Sequence, residues 1–256
     1  MVNNELFRKH INFRDLGGYK SRDGRHIKPG LLYRSGGIYL MNDEELEAFK
    51  SLGIRFIMDL RTKAEWDVHP DPPLPGIHII RHSGLEFANA GEIDFSPTGM
   101  SRIGKEGEEQ LMLLQGYYTS IPFDNEAFRI LMDHVVKGDA PLVFHCATGK
   151  DRTGVFAIIL LLALGVDEET VFRDFMLSNY YHEEALEKAL AENAYKFKDH
   201  PEAKELITMW FGVSEKIGNM VIDSIISKYP SLHDYFLNEF GLNDEDIKAL
   251  RNLYLE

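Results

Sequence analysis

The segment that most constrains this chain is 145–154, with the sequence HCATGKDRTG. The apolar run before it, 141–144, predicts a buried strand, and the longer apolar run after it, 155–164, predicts a buried helix. Cys146, the single cysteine of the chain, therefore lies in a loop between the end of a strand and the start of a helix. Arg152 follows that cysteine near the start of the helix.

This geometry suits the binding of a tetrahedral anion. A loop that enters a helix points several backbone N–H groups at one place, and the helix N-terminus adds a partial positive charge. The planar guanidinium of Arg152 can bind two phosphate oxygens at once. Because the same positive field favours the thiolate form of a cysteine, we interpret Cys146 as a nucleophile at the base of a phosphate-binding loop.

The pattern Cys-x5-Arg-Thr-Gly preceded by His resembles the signature loop of the cysteine-dependent protein-tyrosine phosphatase superfamily. The version with Lys150, Asp151 and Arg152 is similar to its bacterial atypical branch, whose members act on phosphotyrosine, phosphoserine or phosphothreonine, and phosphoinositides. Four further segments resemble that branch: 12–19, 32–35, 57–61 and a C-terminal run from about 213 to 255. The resemblance spans nearly the whole chain and is weakest between 82 and 120.

The resemblance implies a reaction in which the thiolate of Cys146 attacks phosphorus and water then hydrolyses a phosphocysteine intermediate. The loop amides and the Arg152 guanidinium would stabilise the transition state. The Thr153 hydroxyl would hydrogen-bond the sulfur, and His145 would orient the loop. The residues expected to bind substrate are His145, Ala147, Thr148, Gly149, Lys150, Thr153 and Gly154.

The leaving oxygen needs a general acid, and more than one aspartate is a candidate. Asp151 lies within the loop, at a position where the resembling myotubularin lipid phosphatases are thought to use an aspartate. Asp59 lies at the end of another predicted strand, and ligands of open α/β sheets bind beyond the carboxyl ends of strands. We favour Asp151, with Asp59 as the second candidate and Asp94 as a third.

Two charged pairs close in sequence allow a structural and a functional interpretation. Arg14 and Asp15 either form an ion pair that holds the N-terminal segment in place, or they border the site. Asp59 and Arg61 either face the phosphate or hold loops together at the strand end. The sequence leaves both choices open.

The substrate class follows from the resemblance. It implies a protein-tyrosine phosphatase, with phosphoinositides and phosphoserine or phosphothreonine as further candidate substrates and inorganic phosphate as product. Lys150 would meet an additional phosphate of an inositol ring. The alternatives are an enzyme that is primarily a phosphoinositide phosphatase and a phosphate-binding module without activity. We expect no cofactor and no metal, since the ten histidines are dispersed without zinc-type spacing.

Composition narrows the partners and the compartment. The chain has 28 Lys and Arg against 41 Asp and Glu, a net charge of -13, which disfavours a nucleic-acid partner. A single cysteine fits a reducing compartment, and no signal peptide is visible at the N-terminus. The apolar run 155–164 is too short to span a bilayer. We therefore expect a cytoplasmic protein without stable membrane insertion.

The fold class is predicted from the alternation of strands and helices. Apolar runs at 31–34, 54–60 and 77–81 predict further strands. With the strand before the signature loop they indicate an α/β fold, in which a mostly parallel central sheet is flanked by helices. Because no linker-like boundary interrupts the chain, we predict a single domain over 1–256.

Two regions are predicted to elaborate this core. Segment 82–120 has no clear periodicity until about 108, which is typical of a rim or lid or of a surface insertion. Helices predicted over 168–177 and 179–198 begin a helical C-terminal elaboration over 168–256. The helices within 168–212 either cap the site or serve as scaffold.

Overall fold

The computed structural model describes residues 6–85 and 107–256. Its sheet has the strand order β1-β2-β5-β3-β4, in which β1 is antiparallel to β2 and the other pairs are parallel. The strands are β1 (Arg14–Asp15), β2 (Leu32–Ser35), β3 (Phe56–Asp59), β4 (His78–Arg81) and β5 (Leu142–His145). The α/β class with a mostly parallel sheet is confirmed.

Helices cover both faces of this sheet and continue beyond it. They are α1 (Asp43–Ser51), α2 (Lys63–Val68), α3 (Gly107–Ser120), α4 (Glu126–Lys137), α5 (Arg152–Ala163), α6 (Glu168–Tyr181), α7 (Glu183–Asn193), α8 (Glu202–Phe211), α9 (Glu215–Lys228), α10 (Leu232–Phe240) and α11 (Asp244–Tyr254). The predicted C-terminal helical elaboration is therefore present as α6 to α11. Within the described ranges, no helix is long and apolar enough to cross a membrane.

Strand β5 lies at the centre of the sheet and separates two hydrophobic layers. Leu142 and Phe144 pack into the larger layer, whereas Val143 packs into the smaller one with Phe13 and Phe49. This alternation is the period of two expected of a strand that is buried on both faces. The central position of β5 places the loop that follows it at the middle of the carboxyl edge of the sheet.

Helix α5 fixes the other end of that loop. All its residues are buried, as the continuous apolar run predicted, and the helix begins before that run, at Arg152. The ring of Phe156 contacts Phe128 and Phe144, with centroids 5.2 and 5.0 Å away. Because burying one such side chain stabilises a fold by about 1.5–3 kcal/mol, strand and helix are held firmly against each other.

Several helix starts carry the capping bonds that short patterns in the sequence predict. Asn42 and Glu45 form the expected capping box of α1. Ser214, Ser231 and Asn243 each accept a hydrogen bond from a backbone N–H in the first turn of the following helix. Capping is a local interaction, so it can be predicted from sequence alone.

Two predictions differ from the structure. The two helices expected over 168–177 and 179–198 are divided at His182, because α6 continues to Tyr181. The periodicity expected from about 108 in segment 82–120 is present, since α3 begins at Gly107; residues 86–106 lie outside the described ones, and Asp94 with them.

The ion pair predicted between Arg14 and Asp15 is not formed. The carboxylate of Asp15 accepts hydrogen bonds from the backbone of Gly17 and Gly30, at 2.8 and 2.7 Å. The guanidinium of Arg14 instead pairs with Asp174. Adjacent strand residues point to opposite faces, which separates the two side chains. That residues 1–256 form one domain stays a prediction.

Candidate active site

Cys146 follows β5 at the carboxyl edge of the sheet and is fully buried. The register places His145 beside Ser35 on β2 and beside Asp59 on β3. The loop from Cys146 into α5 therefore lies between the ends of the two neighbouring parallel strands, where ligands of open α/β sheets bind.

Carbonyl groups of the loop are held on its outer side. The backbone N–H of Gly37 donates to the carbonyl of Ala147 at 3.0 Å. The guanidinium of Arg34 donates to the carbonyl of Gly149 at 2.8 Å. In a trans peptide the carbonyl and the N–H of the next residue point in opposite directions. The N–H groups of Thr148 and Lys150 therefore point away from Gly37 and Arg34.

The carbonyl of Thr148, between these two, is held in the same way. It accepts from Nδ2 of Asn12 at 3.2 Å and lies 3.0 Å from Nε2 of His182. A carbonyl only accepts, so Nε2 of His182 carries the proton. Burial lowers the pKa of His182 below its ordinary value. Three consecutive carbonyls are thus fixed outward, which directs the amides of Thr148, Gly149 and Lys150 inward.

Gly149 is required by a close approach of the loop to β2. Its φ is +70°, and a Cβ there would lie 2.6 Å from backbone atoms of Ser35 and Gly36. Any other residue would both strain the backbone and push the loop off the strand.

The side chain of Asp151 does not cap α5, although Asp151 stands at the N-cap position. Its Oδ1 accepts instead from the hydroxyl of Tyr118 and from Nζ of Lys150, the latter at 2.8 Å. The first-turn amides of α5 therefore stay open to an anion. Nζ of Lys150 also donates to the carbonyl of Met209 at 2.6 Å, and Lys150 is buried. From the sequence, its ammonium was expected to contact a substrate phosphate, whereas in the structure it donates to two protein groups.

Arg152 is oriented by Glu65, which lies on α2. Nη1 and Nη2 donate to the two carboxylate oxygens at 2.7 and 2.8 Å, and Nη1 also donates to the carbonyl of Leu60 at 3.2 Å. Burial would raise the pKa of Glu65, but these bonds and the charge of Arg152 lower it to about 2. Among the described residues Nε has no partner, so Nε–H and the second N–H of Nη2 remain for two phosphate oxygens.

Three further predicted site residues lie beside the cysteine. Nδ1 of His145 is 3.2 Å from the carbonyl of Cys146, which suits an orienting role. The Thr153 hydroxyl is buried and has no partner among the described residues. Gly154 serves packing, since a Cβ there would lie 3.1 Å from the ring of Phe175. Its backbone amide remains in the first turn of α5.

A buried ion network supports the β2 side of the loop; we call Arg14, Tyr19, Arg34 and Asp174 the Asp174 network. The carboxylate of Asp174 accepts from Arg14 at 3.0 Å, from Tyr19 at 3.0 Å and from Arg34 at 2.5 Å. Burial would raise the pKa of Asp174, but the two arginines lower it to about 2. Burial and the charge of Arg14 lower the pKa of Arg34 to about 10, although the charge of Asp174 acts to raise it.

A second buried network lies on the β3 side; we call Asp59, Arg61 and Asp71 the Asp59 network. Arg61 donates to both oxygens of Asp59, at 2.9 and 2.7 Å, and to Asp71. Nε2 of His145 is 3.9 Å from each carboxylate. Burial would raise the pKa of Asp59, but the nearby His145 ring and the hydrogen bonds and charge of Arg61 lower it.

The donor atoms of Asp59, Asp71 and His145 lie within 4.8 Å of one another, a spacing that could hold a metal ion. Arg61 donates to both carboxylates, however, and already supplies the positive charge that an ion would bring. We therefore assign no metal to this cluster.

The sequence indicates the loop but not the side chains that hold it. Tyr118 and Asp174, on helices, and His182, between two helices, contact the loop or its supports from distant parts of the sequence, and no local pattern marks them. Glu65 carried a signal, because it stands three residues after Thr62 in a capping-box pattern. That pattern placed Glu65 at a helix start without revealing its bond to Arg152.

Three known proteins and one family model are similar to this chain in sequence. A model described as the tyrosine phosphatase family matches residues 6–256. A Cupriavidus necator protein that bears the name of a tyrosine-protein phosphatase is 31% identical over 183 residues, which cover 72% of this chain and 66% of that protein. The triple specificity protein phosphatase PtpB of Mycobacterium tuberculosis is 24% identical over 271 residues, covering 95% of this chain and 96% of that protein.

A tyrosine-protein phosphatase of Nostoc commune is 28% identical over 163 residues, covering 59% of this chain and 49% of that protein. The matched stretches thus span about two thirds of the Cupriavidus protein, nearly all of the mycobacterial protein and about half of the Nostoc protein.

Proposed function

This chain belongs to the tyrosine phosphatase family, whose members are cysteine-dependent phosphatases, and we propose that it dephosphorylates phosphotyrosine through Cys146. One observation carries the proposal. Cys146 lies at the start of a loop whose three following carbonyls are held outward, next to an Arg152 side chain whose Nε has no partner among the described residues. Such an arrangement binds a phosphoryl group and leaves the sulfur beneath it.

Binding uses groups that already have their orientation. The amides of the loop and of the first turn of α5 bind the phosphate oxygens, and the Nε–Nη2 edge of Arg152 binds two of them. Because Glu65 and the carbonyl of Leu60 hold the guanidinium, little reorganisation is needed when substrate enters. Among the predicted binding residues, Thr148, Gly149, Lys150, Thr153 and Gly154 act through these amides.

The first chemical step forms the S–P bond and breaks the bond from phosphorus to the tyrosine oxygen. The electron pair of the broken bond goes to the phenolic oxygen, which takes a proton from Asp151. In the second step the Asp151 carboxylate takes a proton from water as the water oxygen attacks phosphorus. The S–P bond breaks, inorganic phosphate forms, and the thiolate of Cys146 is restored.

Asp151 suits the general acid better than Asp59 does. The Asp59 carboxylate is fully buried, and both its oxygens accept from Arg61, which keeps the carboxylate ionised. A group that holds its charge so firmly is a poor proton donor. Asp151 stands in the loop itself, five residues after the nucleophile in the printed sequence, with Oδ1 alone engaged among the described contacts.

The contacts of Lys150 favour phosphotyrosine over a phosphoinositide as the main substrate. A ring phosphate that used this ammonium would have to displace the carbonyl of Met209 and the carboxylate of Asp151. We therefore keep phosphoinositides and phosphoserine or phosphothreonine as secondary substrates. A Lys150→Met variant that loses phosphoinositide turnover alone, with phosphotyrosine turnover unchanged, would favour the phosphoinositide phosphatase instead.

The proposed compartment follows from the chemistry of the nucleophile. Cys146 must stay reduced to act, so we place the enzyme in the reducing cytoplasm.

The test is hydrolysis of para-nitrophenyl phosphate and of a phosphotyrosine peptide by the wild type and by Cys146→Ser. We expect the variant to lose turnover of both substrates while it still binds inorganic phosphate in calorimetry, because the loop amides and Arg152 remain. If the wild type binds phosphate but hydrolyses neither substrate, the chain is a phosphate-binding module. If the variant hydrolyses both at the wild-type rate, Cys146 is not the nucleophile.

A further inference from the structure

Tyr118 is a buried tyrosine whose hydroxyl reaches the reaction site from a distant helix. It stands near the end of α3, is 1% exposed, and packs edge-on against the ring of Tyr117 at 5.4 Å between centroids. Its hydroxyl donates to Oδ1 of Asp151. The ring position is therefore fixed by packing, and the hydroxyl has a fixed acceptor.

The two donors to Asp151 converge on the same oxygen. Nζ of Lys150 also donates to Oδ1, at 2.8 Å, and no residue within 6–85 or 107–256 donates to Oδ2. An oxygen that already accepts two hydrogen bonds is a poor place for a proton. When Asp151 is protonated, the proton is therefore directed to Oδ2.

Tyr118 can act only as a donor here. Burial raises the pKa of Tyr118 well above its ordinary value, and the charge of Asp151 raises it further. The phenol therefore stays protonated over the range in which the enzyme would work. Its hydrogen bond suits both states of Asp151, because Oδ1 accepts as a carbonyl oxygen before proton transfer and as a carboxylate oxygen after it.

We propose that Tyr118 is a positioning residue for the general acid: by donating to Oδ1 of Asp151 it leaves Oδ2 to deliver the proton to the leaving oxygen. This inference rests on the proposed function. As the bond from phosphorus to the leaving oxygen breaks, the proton moves from Oδ2 to that oxygen, and Tyr118 and Lys150 stabilise the carboxylate that remains. Tyr118 itself neither gains nor loses a proton.

The experiment compares two aryl phosphates that differ in their need for an acid. Para-nitrophenolate leaves without protonation, whereas the more basic oxygen of phenyl phosphate needs the proton. The ratio of kcat/KM for the two substrates is measured for the wild type, Tyr118→Phe, Asp151→Asn and the double variant. This ratio does not depend on the concentration of folded enzyme, so partial misfolding of a variant cannot mimic the effect.

We expect Tyr118→Phe to lower kcat/KM for phenyl phosphate by about 10-fold or more and that for para-nitrophenyl phosphate by less than about threefold. Asp151→Asn should change the ratio in the same direction, and Tyr118→Phe should add nothing to it in the double variant. Tyr254→Phe is the matched control, since it removes a buried hydroxyl that donates to the carbonyl of Val135 at 2.8 Å. It should leave the ratio unchanged.

Equal losses on both substrates in Tyr118→Phe, or no loss on either, would overturn the role of Tyr118. The same holds if the effects of Tyr118→Phe and Asp151→Asn on the ratio are additive. If Asp151→Asn itself leaves the ratio unchanged while Cys146→Ser is inactive, the general-acid assignment fails and the proposed phosphatase activity stands. Full activity of Cys146→Ser would remove the proposed function as well.

Discussion

The two buried ion networks beside the loop have opposite excess charge. The Asp174 network, on the β2 side, holds two arginines around one carboxylate, whereas the Asp59 network, on the β3 side, holds one arginine between two carboxylates. The first reaches the loop directly, through the bond of Arg34 to the carbonyl of Gly149. The second lies against His145, just before the nucleophile.

This difference in charge indicates which of the two carboxylates, Asp174 or Asp59, can be neutralised with the smaller loss of stability. Removing the charge of Asp174 would leave two buried guanidinium groups with no carboxylate partner among the described residues. Removing the charge of Asp59 would leave Arg61 paired with Asp71, a neutral couple. Because an unpaired buried charge costs far more than a lost hydrogen bond, the same substitution should have unequal effects at the two sites.

The largest effect is expected from Asp174→Asn. Breaking a buried ion pair while its cationic partners remain destabilises a protein by about 3–5 kcal/mol. Urea unfolding of the wild type and the variant would measure this loss. A change in the free energy of unfolding below about 1 kcal/mol would mean that the two arginines find other partners. It would contradict the expected difference between the two networks.

A smaller effect is expected on acidification. The pKa of Asp174 is about 2 in the folded protein and about 3.9 when unfolded, so its pairing contributes stability above pH 4 that is lost as the pH falls towards 2. The shift corresponds to about 2–3 kcal/mol. Unfolding free energies measured between pH 5 and pH 2 should therefore fall less steeply in Asp174→Asn than in the wild type. Parallel curves would show that Asp174 does not titrate with folding.

The smallest effect is expected from Asp59→Asn. Asparagine keeps one acceptor for Arg61, and Asp71 keeps the charge balance, so the loss should be about 1–2 kcal/mol in urea unfolding. Hydrolysis of phenyl phosphate should continue, in contrast to Asp151→Asn. A loss of stability as large as that of Asp174→Asn would contradict the expected difference between the two networks. Selective loss of phenyl phosphate turnover would indicate that Asp59 is the general acid.

The sequence was sufficient to predict the elements that depend on local interactions. The strand before Cys146, the buried helix after it and the caps at Asn42 and Ser214 all follow from short patterns. The loop itself was predicted because its spacing is specific. These features need no knowledge of which distant residues meet.

The supports of the loop were not predictable in the same way. Asp174 meets Arg34 across 140 residues, and Tyr118 meets Asp151 across 33. A charged residue in a helix is usually solvated, so nothing in the local sequence of Asp174 marks it as buried. Lys150 illustrates the same difficulty, because its position in the loop suggested a substrate contact and tertiary packing gave it Met209 instead.

The central claim is that phosphate is transferred to the sulfur of Cys146. A single-turnover reaction with a phosphotyrosine peptide, denatured rapidly and analysed by peptide mass spectrometry, tests it directly. We predict that one phosphoryl group is found on the peptide that contains Cys146, and that Cys146→Ser shows none there. A phosphoryl group on any other residue, or turnover with no trapped phosphoenzyme under conditions where its hydrolysis is slow, would contradict the account.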